Sequence, residues 1–415
     1  IKKSGFAHFF EHMMFQGSDN VADEAHFKIV TESGGTLNGS TNRDRTNYYQ
    51  TVPNNQLESV LWLEADRMGF FLDAVTQEKF EIQRSTVKNE KGQNYLNRPY
   101  GMWKEKTVAA LYPYGHPYSW STIGYLKDLD RASLNDLKNF FLRWYGPNNA
   151  AITIGGDINP KEVIRMVEKY FGSIPPGPEV EKMKLPLPKI NSDRYISHLD
   201  NNIRFPALMM TYPTVPHMHP DEAALDCLAD ILGRGHSSYL FKKFVETKKA
   251  IQASASHPAY EHAGEFSLII LPYPGQKLSE FEVEIRNTLD EFETLGVNET
   301  NLIKFKADRE SDVINGLASV SGKVSQLANY QFMFENPNLI NQDLQRYLDI
   351  SKADVMRVFR KYIKGKASVI MSYLPSNQVL PARKDNFYTQ AKTPSPTVVA
   401  FGFDDIATSP SIANT

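Results

Sequence analysis

The sequence predicts a protein built as two similar α/β domains, and three observations carry that prediction. Amphipathic helical stretches alternate with short runs rich in Thr, Tyr, Val and Ile. A proline-rich break follows: Pro175, Pro176, Gly177, Pro178, Pro186 and Pro188 interrupt regular structure. A pattern before the break returns after it. Ser133-x-x-Asp136, Phe140, Tyr145 and Ala150–Ile154 are echoed about 218 residues on by Ser351-x-x-Asp354, Phe359, Tyr362 and Ala367–Ile370. The expected boundaries are 1–175 for the first domain, 176–193 for a linker, 194–377 for the second domain and 378–415 for a tail. That tail is polar and Pro/Ser-rich, and is expected to wrap the surface or trail off.

The elements follow in order. A helix is expected over Gly5–Phe15, with Ser4 as N-cap and Gly17 as the stop. A second helix spans Asp23–Ser33 and ends at Gly34-Gly35. Thr36–Val52 reads as extended, with a turn at Asn42-Arg43-Asp44. Gln56–Leu72 is amphipathic, with Leu57, Val60, Leu61, Glu64 and Met68 on one face, and Gln77–Gln93 is a further long helix. Ser133–Tyr145 is a capped helix ended by Pro147, Ala150–Ile154 a short buried strand, and Pro160–Phe171 a helix. The apolar run Phe205–Tyr212 reads as a core strand rather than an interface.

Composition narrows the function. With 415 residues, 41% hydrophobic and 23% charged, the chain has material for an ample core. A net charge of -2 gives no reason to expect nucleic acid or an acidic membrane as partner. No apolar run approaches the ~20 residues of a membrane span. Cys227 is the single cysteine, which excludes an intrachain disulfide framework and a multi-cysteine metal site. Cytosolic and disulfide-free exported proteins both look like this; the compartment favoured is a bacterial periplasm over cytoplasm or mitochondrion.

The strongest local signal is His8-Phe9-Phe10-Glu11-His12. Residues four apart on a helix share a face, with Cβ atoms about 5–6 Å apart, so His8 and His12 can grip one ion. Glu11 reaches a water on that ion without being a ligand, and so suits the role of general base. A catalytic zinc needs a third protein ligand, for which Glu90 is the candidate. A solvated helix face is the plainer reading of these polar residues. Phe9, Phe10, Met13, Met14 and Phe15 surround them, however, and burying two imidazoles and a carboxylate without a shared partner is costly.

His-x-x-Glu-His is the inverted zinc motif, and with it the chain resembles the pitrilysin-type (insulinase-like) zinc metallopeptidases, the inverzincins. In that family a distal glutamate, a little over seventy residues on, completes the site; Glu90 in Val87-Lys88-Asn89-Glu90 falls there. Gly34-Gly35-Thr36-Leu37-Asn38-Gly39-Ser40-Thr41 resembles the strand after the motif, followed by Asp44-Arg45-Thr46-Asn47-Tyr48-Tyr49. Gly156-Asp157 and Leu232-Gly233-Arg234-Gly235-His236-Ser237-Ser238 also fit. The resemblance implies the α+β class, each half a mixed, mainly antiparallel sheet with helices packed on it. The first half would carry the zinc and the second half no metal. It implies cleavage of peptide bonds in short or unstructured polypeptides within a closed chamber. It also makes Asn38, Gly39, Ser40, Thr41 and Asn42 an edge strand that pairs with extended substrate.

Three departures from the family pattern stand out. A glutamate seven residues before the ligand often helps orient the site; here the position is Gln83, and Glu81, two residues off, points elsewhere. Active members supply an arginine and, seven residues later, a tyrosine from the second half. After Ser237-Ser238-Tyr239-Leu240-Phe241 those positions read Val245 and Gln252, neither able to stabilise an oxyanion. The pair is therefore expected from a second family subunit, as in a heterodimeric clamshell, or from a later part of a longer polypeptide. Family members also have strands before the zinc helix. Here only Ile1–Lys3 precede it, so upstream residues are expected outside this sequence. The function expected is a zinc endopeptidase half, and the alternative a non-catalytic scaffold or assembly subunit. Of the remaining residues, His217 and His219 read as a solvated turn, Gly233-Arg234-Gly235 as a helix C-cap turn, and Trp62, Trp103, Trp120 and Trp144 as packing.

Overall fold

The computed structural model describes residues 3–375 and 379–388. The first half is mainly helical: α1 (Phe6–Met13), α2 (Ala25–Glu32), the hairpin β1 (Thr36–Thr41) and β2 (Thr46–Thr51), α3 (Leu57–Gly69), α4 (Gln77–Lys91), α5 (Trp103–Leu111), α6 (Leu126–Arg131), α7 (Leu134–Trp144) and α8 (Pro160–Phe171). The second half holds β3 (Arg194–Leu199), β4 (Ala207–Thr214), α9 (Glu222–Gly233), β5 (Ala250–Ser256), β6 (Gly264–Pro272), α10 (Leu278–Leu295), α11 (Glu299–Gly316), α12 (Val320–Phe334), α13 (Ile340–Leu348), α14 (Lys352–Val358) and β7 (Val369–Leu374).

The class is α+β, as the resemblance implied. The five-stranded sheet runs β3-β7-β4-β6-β5, parallel only between β3 and β7 and antiparallel elsewhere. Its middle strands β4 and β7 are buried almost throughout, which explains their unbroken apolar runs. Phe205–Tyr212 largely coincides with β4, so the reading as core strand is correct.

Among the described residues the first half keeps only β1 paired to β2, in register from Thr36↔Thr51 to Thr41↔Thr46. The strand expected at Ala150–Ile154 is absent: the segment is irregular and Ile152 is half exposed. Its counterpart β7 is held between β3 and β4, whereas no described strand lies alongside 150–154, and an extended run becomes a strand only when a neighbour takes its hydrogen bonds. The helical part of the repeat does appear. Ser133 with Asp136 and Ser351 with Asp354 each form a reciprocal capping box.

Residues 176–193, expected as a linker, form no helix or strand and are tied back by Asn148 Nδ2 to the Gly177 carbonyl (3.1 Å) and by Arg143 to the Glu179 carbonyl (2.8 Å). Of the expected tail, 379–388 is described: Ala382 N donates to Ser372 Oγ (3.0 Å) and Asn386 N to the Tyr195 carbonyl (3.1 Å), so this stretch lies along the sheet. The rest of the tail lies outside the described residues.

Two local expectations need correcting. Ser4 does not cap α1. Gly5 takes the N-cap position at φ 79°, where a Cβ would stand 2.3 Å from the Ile123 carbonyl oxygen. Ser4 turns inward instead, donating its hydroxyl to Asp128 Oδ2 (2.6 Å) and accepting from Tyr125 N (3.0 Å). His217 is not merely solvated either. It is half-buried, with Nδ1 2.5 Å from Glu222 Oε1, because Glu222 is a buried carboxylate that needs partners. His219 Nδ1 accepts from Asp221 N (3.0 Å) in the same turn. Gly233 closes α9, as the C-cap reading had it.

Candidate metal centre

The site begins with the helical period of α1. Phe6, Phe9, Phe10 and Met13 are buried, spaced for one face. Phe9 packs edge-on to Phe80 of α4 (5.1 Å between centroids), and Phe10 lies against Tyr145 (4.4 Å) and Phe140 (5.3 Å). With that stripe fixed, His8, Glu11 and His12 fall together on the other face, half-buried. Phe80 and Val87 of α4 share one buried cluster with Phe6, Phe9 and Phe10 of α1, and with the two helices so packed Glu90 lies beside the two histidines.

His8 Nε2 lies 3.6 Å and His12 Nε2 3.3 Å from Glu90 Oε2, and one donor atom from each residue lies within 4.8 Å of the others. Ligand bonds to zinc of about 2.0–2.2 Å in a tetrahedral arrangement place donors roughly 3.3–3.5 Å apart, close to the two separations between the histidines and Glu90. The electrostatics suit a cation as well. Burial, opposed by Glu90, pushes the His8 pKa down to about 4, which leaves the ring neutral at ordinary pH. The His12 hydrogen bond outweighs burial and draws the Glu90 carboxyl below its usual value. His8 Nδ1 is buried without a hydrogen-bond partner among the described residues, whereas a ligand imidazole ordinarily donates its second N–H to an orienting group.

Glu11 is held from the β1 side. Thr41 Oγ1 donates to Glu11 Oε2 (2.5 Å) and is itself 3.0 Å from Thr46 Oγ1. Burial raises the Glu11 pKa and the Thr41 bond opposes that rise. Gly39 makes the close approach of strand to base feasible: a Cβ there would sit 2.8 Å from Glu11 Oε1 and 3.2 Å from Phe15 Cε2. The strand expected at Asn38–Asn42 therefore runs beside the base, although β1 itself ends at Thr41. Asn42 is in the turn, its Oδ1 accepting from the amides of Asp44 (2.8 Å) and Arg45 (2.9 Å).

Gln83 is half-buried on α4, and Glu81 is engaged on the surface with Gln77 (2.7 Å) and Arg84 (3.2 Å). Val245 packs against the core of the second half, and Gln252 is exposed on the edge strand β5. Sequence reasoning missed three contributions: the Thr41 hydroxyl on Glu11, the Asn94 amide near Glu90 Oε1 (3.4 Å), and the buried pair of Lys91 with Glu105 (2.7 Å) behind the site. A hydroxyl in a strand and an amide one turn past a ligand are weak signals. Lys91 stands in the polar run Lys88-Asn89-Glu90-Lys91, which gives no sign of its burial.

An α+β chain with His-x-x-Glu-His on its first helix falls in the inverzincin class. The family model for insulinase (peptidase family M16) matches residues 2–108, and the model for the peptidase M16 inactive domain matches 131–307. This chain belongs to the M16 family of insulinase- or pitrilysin-type peptidases. It is 28% identical to the zinc protease PqqE of Helicobacter pylori over 380 residues, covering 90% of this chain and 84% of that protein. It is 23% identical to an uncharacterized zinc protease of Mycobacterium leprae, with 91% and 84% covered. Among solved structures, a protease from Helicobacter pylori matches with a TM-score of 0.82 at 27% identity, over 90% of both chains. The periplasmic protease PqqL of Escherichia coli shares the fold at a TM-score of 0.72 and 16% identity, with 91% of this chain but 43% of that one covered. The chain thus has the size of one half of that protein. Among the described residues no helix is long and apolar enough to cross a membrane.

Proposed function

We propose that this chain is a zinc-dependent endopeptidase acting on short or unstructured peptides, as the metal-bearing half of a two-part enzyme. The observation that carries the reading is the convergence of His8, His12 and Glu90 on one point, with Glu11 beside them but engaged by Thr41 instead. Zinc, when bound, supplies Lewis acidity, which acidifies water and polarises a carbonyl oxygen. His8 and His12 would hold it through Nε2 and Glu90 through a carboxylate oxygen. Glu11 takes the proton of the attacking water, its proton affinity raised by burial and its orientation held by the Thr41 hydroxyl. The edge of β1 away from β2, which pairs with no strand among the described residues, offers backbone N–H and C=O groups to an extended peptide, a mode of binding with little sequence preference. Gln83 would adjust the site from two helical turns away. A bacterial periplasmic location belongs to the same proposal and is checked by fractionating the source cells.

Val245 and Gln252 favour a second reading, a scaffold subunit without useful hydrolysis. One experiment separates the two: zinc content and peptide hydrolysis, measured for the chain alone and with a second family subunit carrying the arginine and tyrosine. The endopeptidase reading expects about one zinc per chain. It also expects cleavage that rises with the partner, and a loss of about 10²–10⁴-fold in Glu11→Gln with zinc retained. A zinc-loaded wild type that cleaves no peptide with any partner sinks it.

A further inference from the structure

The turn between β1 and β2 is anchored in the second half of the chain. Arg43, at its tip, has a side chain 12% exposed and pairs with Glu265 of β6, itself 10% exposed. The guanidinium lies among three aromatic rings: Tyr260 at 4.3 Å, Tyr118 at 5.3 Å and Tyr112 at 5.9 Å from its central carbon. Tyr112 donates its hydroxyl to the same Glu265 oxygen (3.0 Å). Asp44 completes the clasp, accepting the Tyr118 hydroxyl at one oxygen and the Glu261 amide at the other (3.1 Å), while the Tyr118 hydroxyl accepts from His262 N (3.1 Å). A hairpin of six-residue strands with no other strand beside it among the described residues is marginal alone. A buried, ring-stacked charge pair at its tip is a strong constraint on where it lies.

We infer that Arg43 and Asp44 are positioning residues through which the second half, none of whose described residues joins the metal site, fixes β1 beside Glu11. Thr41, two residues from Arg43, carries that constraint to the base, and the edge of β1 away from β2 carries it to the peptide. This rests on the endopeptidase reading where it concerns substrate. Where it concerns the strand it does not.

The test is amide hydrogen exchange on the zinc-loaded full chain, beside peptide kinetics, for Arg43→Ala, Glu265→Ala and the double variant. Exchange over residues 36–51 is expected to quicken at least about tenfold in each single variant and no further in the double, since both remove one linkage. α1, α4 and the second-half sheet keep wild-type exchange and zinc content stays whole. For an extended peptide KM rises about tenfold through lost strand placement, and kcat falls by no more than the roughly tenfold expected from loss of the Thr41 bond to Glu11. Arg43→Lys, which retains the charge among the rings, restores at least half of the KM effect, as plain loss of packing would not. Glu265→Gln, close in size to the native residue, serves as the milder variant if Glu265→Ala lowers expression. Unchanged exchange over 36–51, equal quickening throughout the second half, or additive effects in the double variant overturns the inference. A wild type that cleaves nothing while the exchange pattern holds removes the endopeptidase reading and leaves the anchor standing.

Discussion

Gly39 stands where any side chain would strike Glu11: its Cβ would fall 2.8 Å from Oε1 and 3.2 Å from Cγ. The atom struck hardest ends a flexible carboxylate, and the Phe15 ring at 3.2 Å need yield only slightly, so Gly39→Ala is expected to cost about 1 kcal/mol of stability, the base swinging aside rather than the strand. A base moved by about an ångström loses its reach, so peptide hydrolysis should fall about 10–10²-fold with zinc content unchanged. Steady-state kinetics beside metal analysis checks this, and wild-type kcat in the variant would show that Gly39 is not needed for that approach. Thr41→Val removes the hydroxyl that Glu11 accepts and should lower kcat about tenfold, while Thr41→Ser keeps it.

At the scale of elements, α4 works with two opposed faces at its C-terminal end. Glu90 turns toward α1, and the next residue, Lys91, turns into the protein, where its ammonium meets Glu105 (2.7 Å) and the Gly124 carbonyl. Both side chains are almost fully buried, and Ser121 Oγ donates to the same Glu105 oxygen (2.8 Å). Removing one partner leaves a buried charge unanswered, so Glu105→Ala should destabilise the protein by about 3–5 kcal/mol, and Lys91→Met added to it should recover much of that. Denaturant unfolding of the single and double variants decides. A second hub joins the start of α9 to α14 and the turn after it: Asp221 accepts from Lys361 (2.8 Å), Tyr362 (2.7 Å) and Arg357 (2.5 Å). Burial pushes its pKa up, but these bonds together draw it well below the usual carboxylate value of 3.8. A depressed folded pKa contributes stability that is whole above the unfolded value and is lost progressively below it as pH falls through the folded value. Wild-type stability should therefore fall below about pH 4, as denaturant unfolding across pH would show, and Asp221→Asn should flatten that part of the profile.

For the molecule as a whole, a metal that binds the folded chain and not the unfolded one adds stability by mass action. Free zinc at a hundred times its dissociation constant should raise unfolding free energy by about 2.7 kcal/mol, and chelation should reverse the shift. Glu90→Gln or His8→Ala should abolish the response while leaving the apo-protein close to wild type, as thermal unfolding with zinc and with chelator would show. A zinc response surviving in both variants would place the metal elsewhere.

What could be read from local pattern was whatever local spacing controls. Phe6, Phe9, Phe10 and Met13 define the buried face of α1, which leaves His8, Glu11 and His12 on the other. The boxes at Ser133 and Ser351 and the helix Pro160–Phe171 likewise depend on neighbours within a turn. Glu90 was reachable only because its distance along the chain resembles a family's; periodicity alone could not say that α4 crosses α1 there. Other features depended on partners far away in sequence. Ser4 turns from cap to buried anchor because Asp128 lies beneath it, and 150–154 stays irregular because no described strand runs beside it. Arg43 looked like a turn residue until the fold brought Glu265, 222 positions on, to its guanidinium. Spacing within a helix is set by covalent geometry and so is written in the chain, whereas a charge, a cap or a strand edge is settled by which distant group arrives to satisfy it.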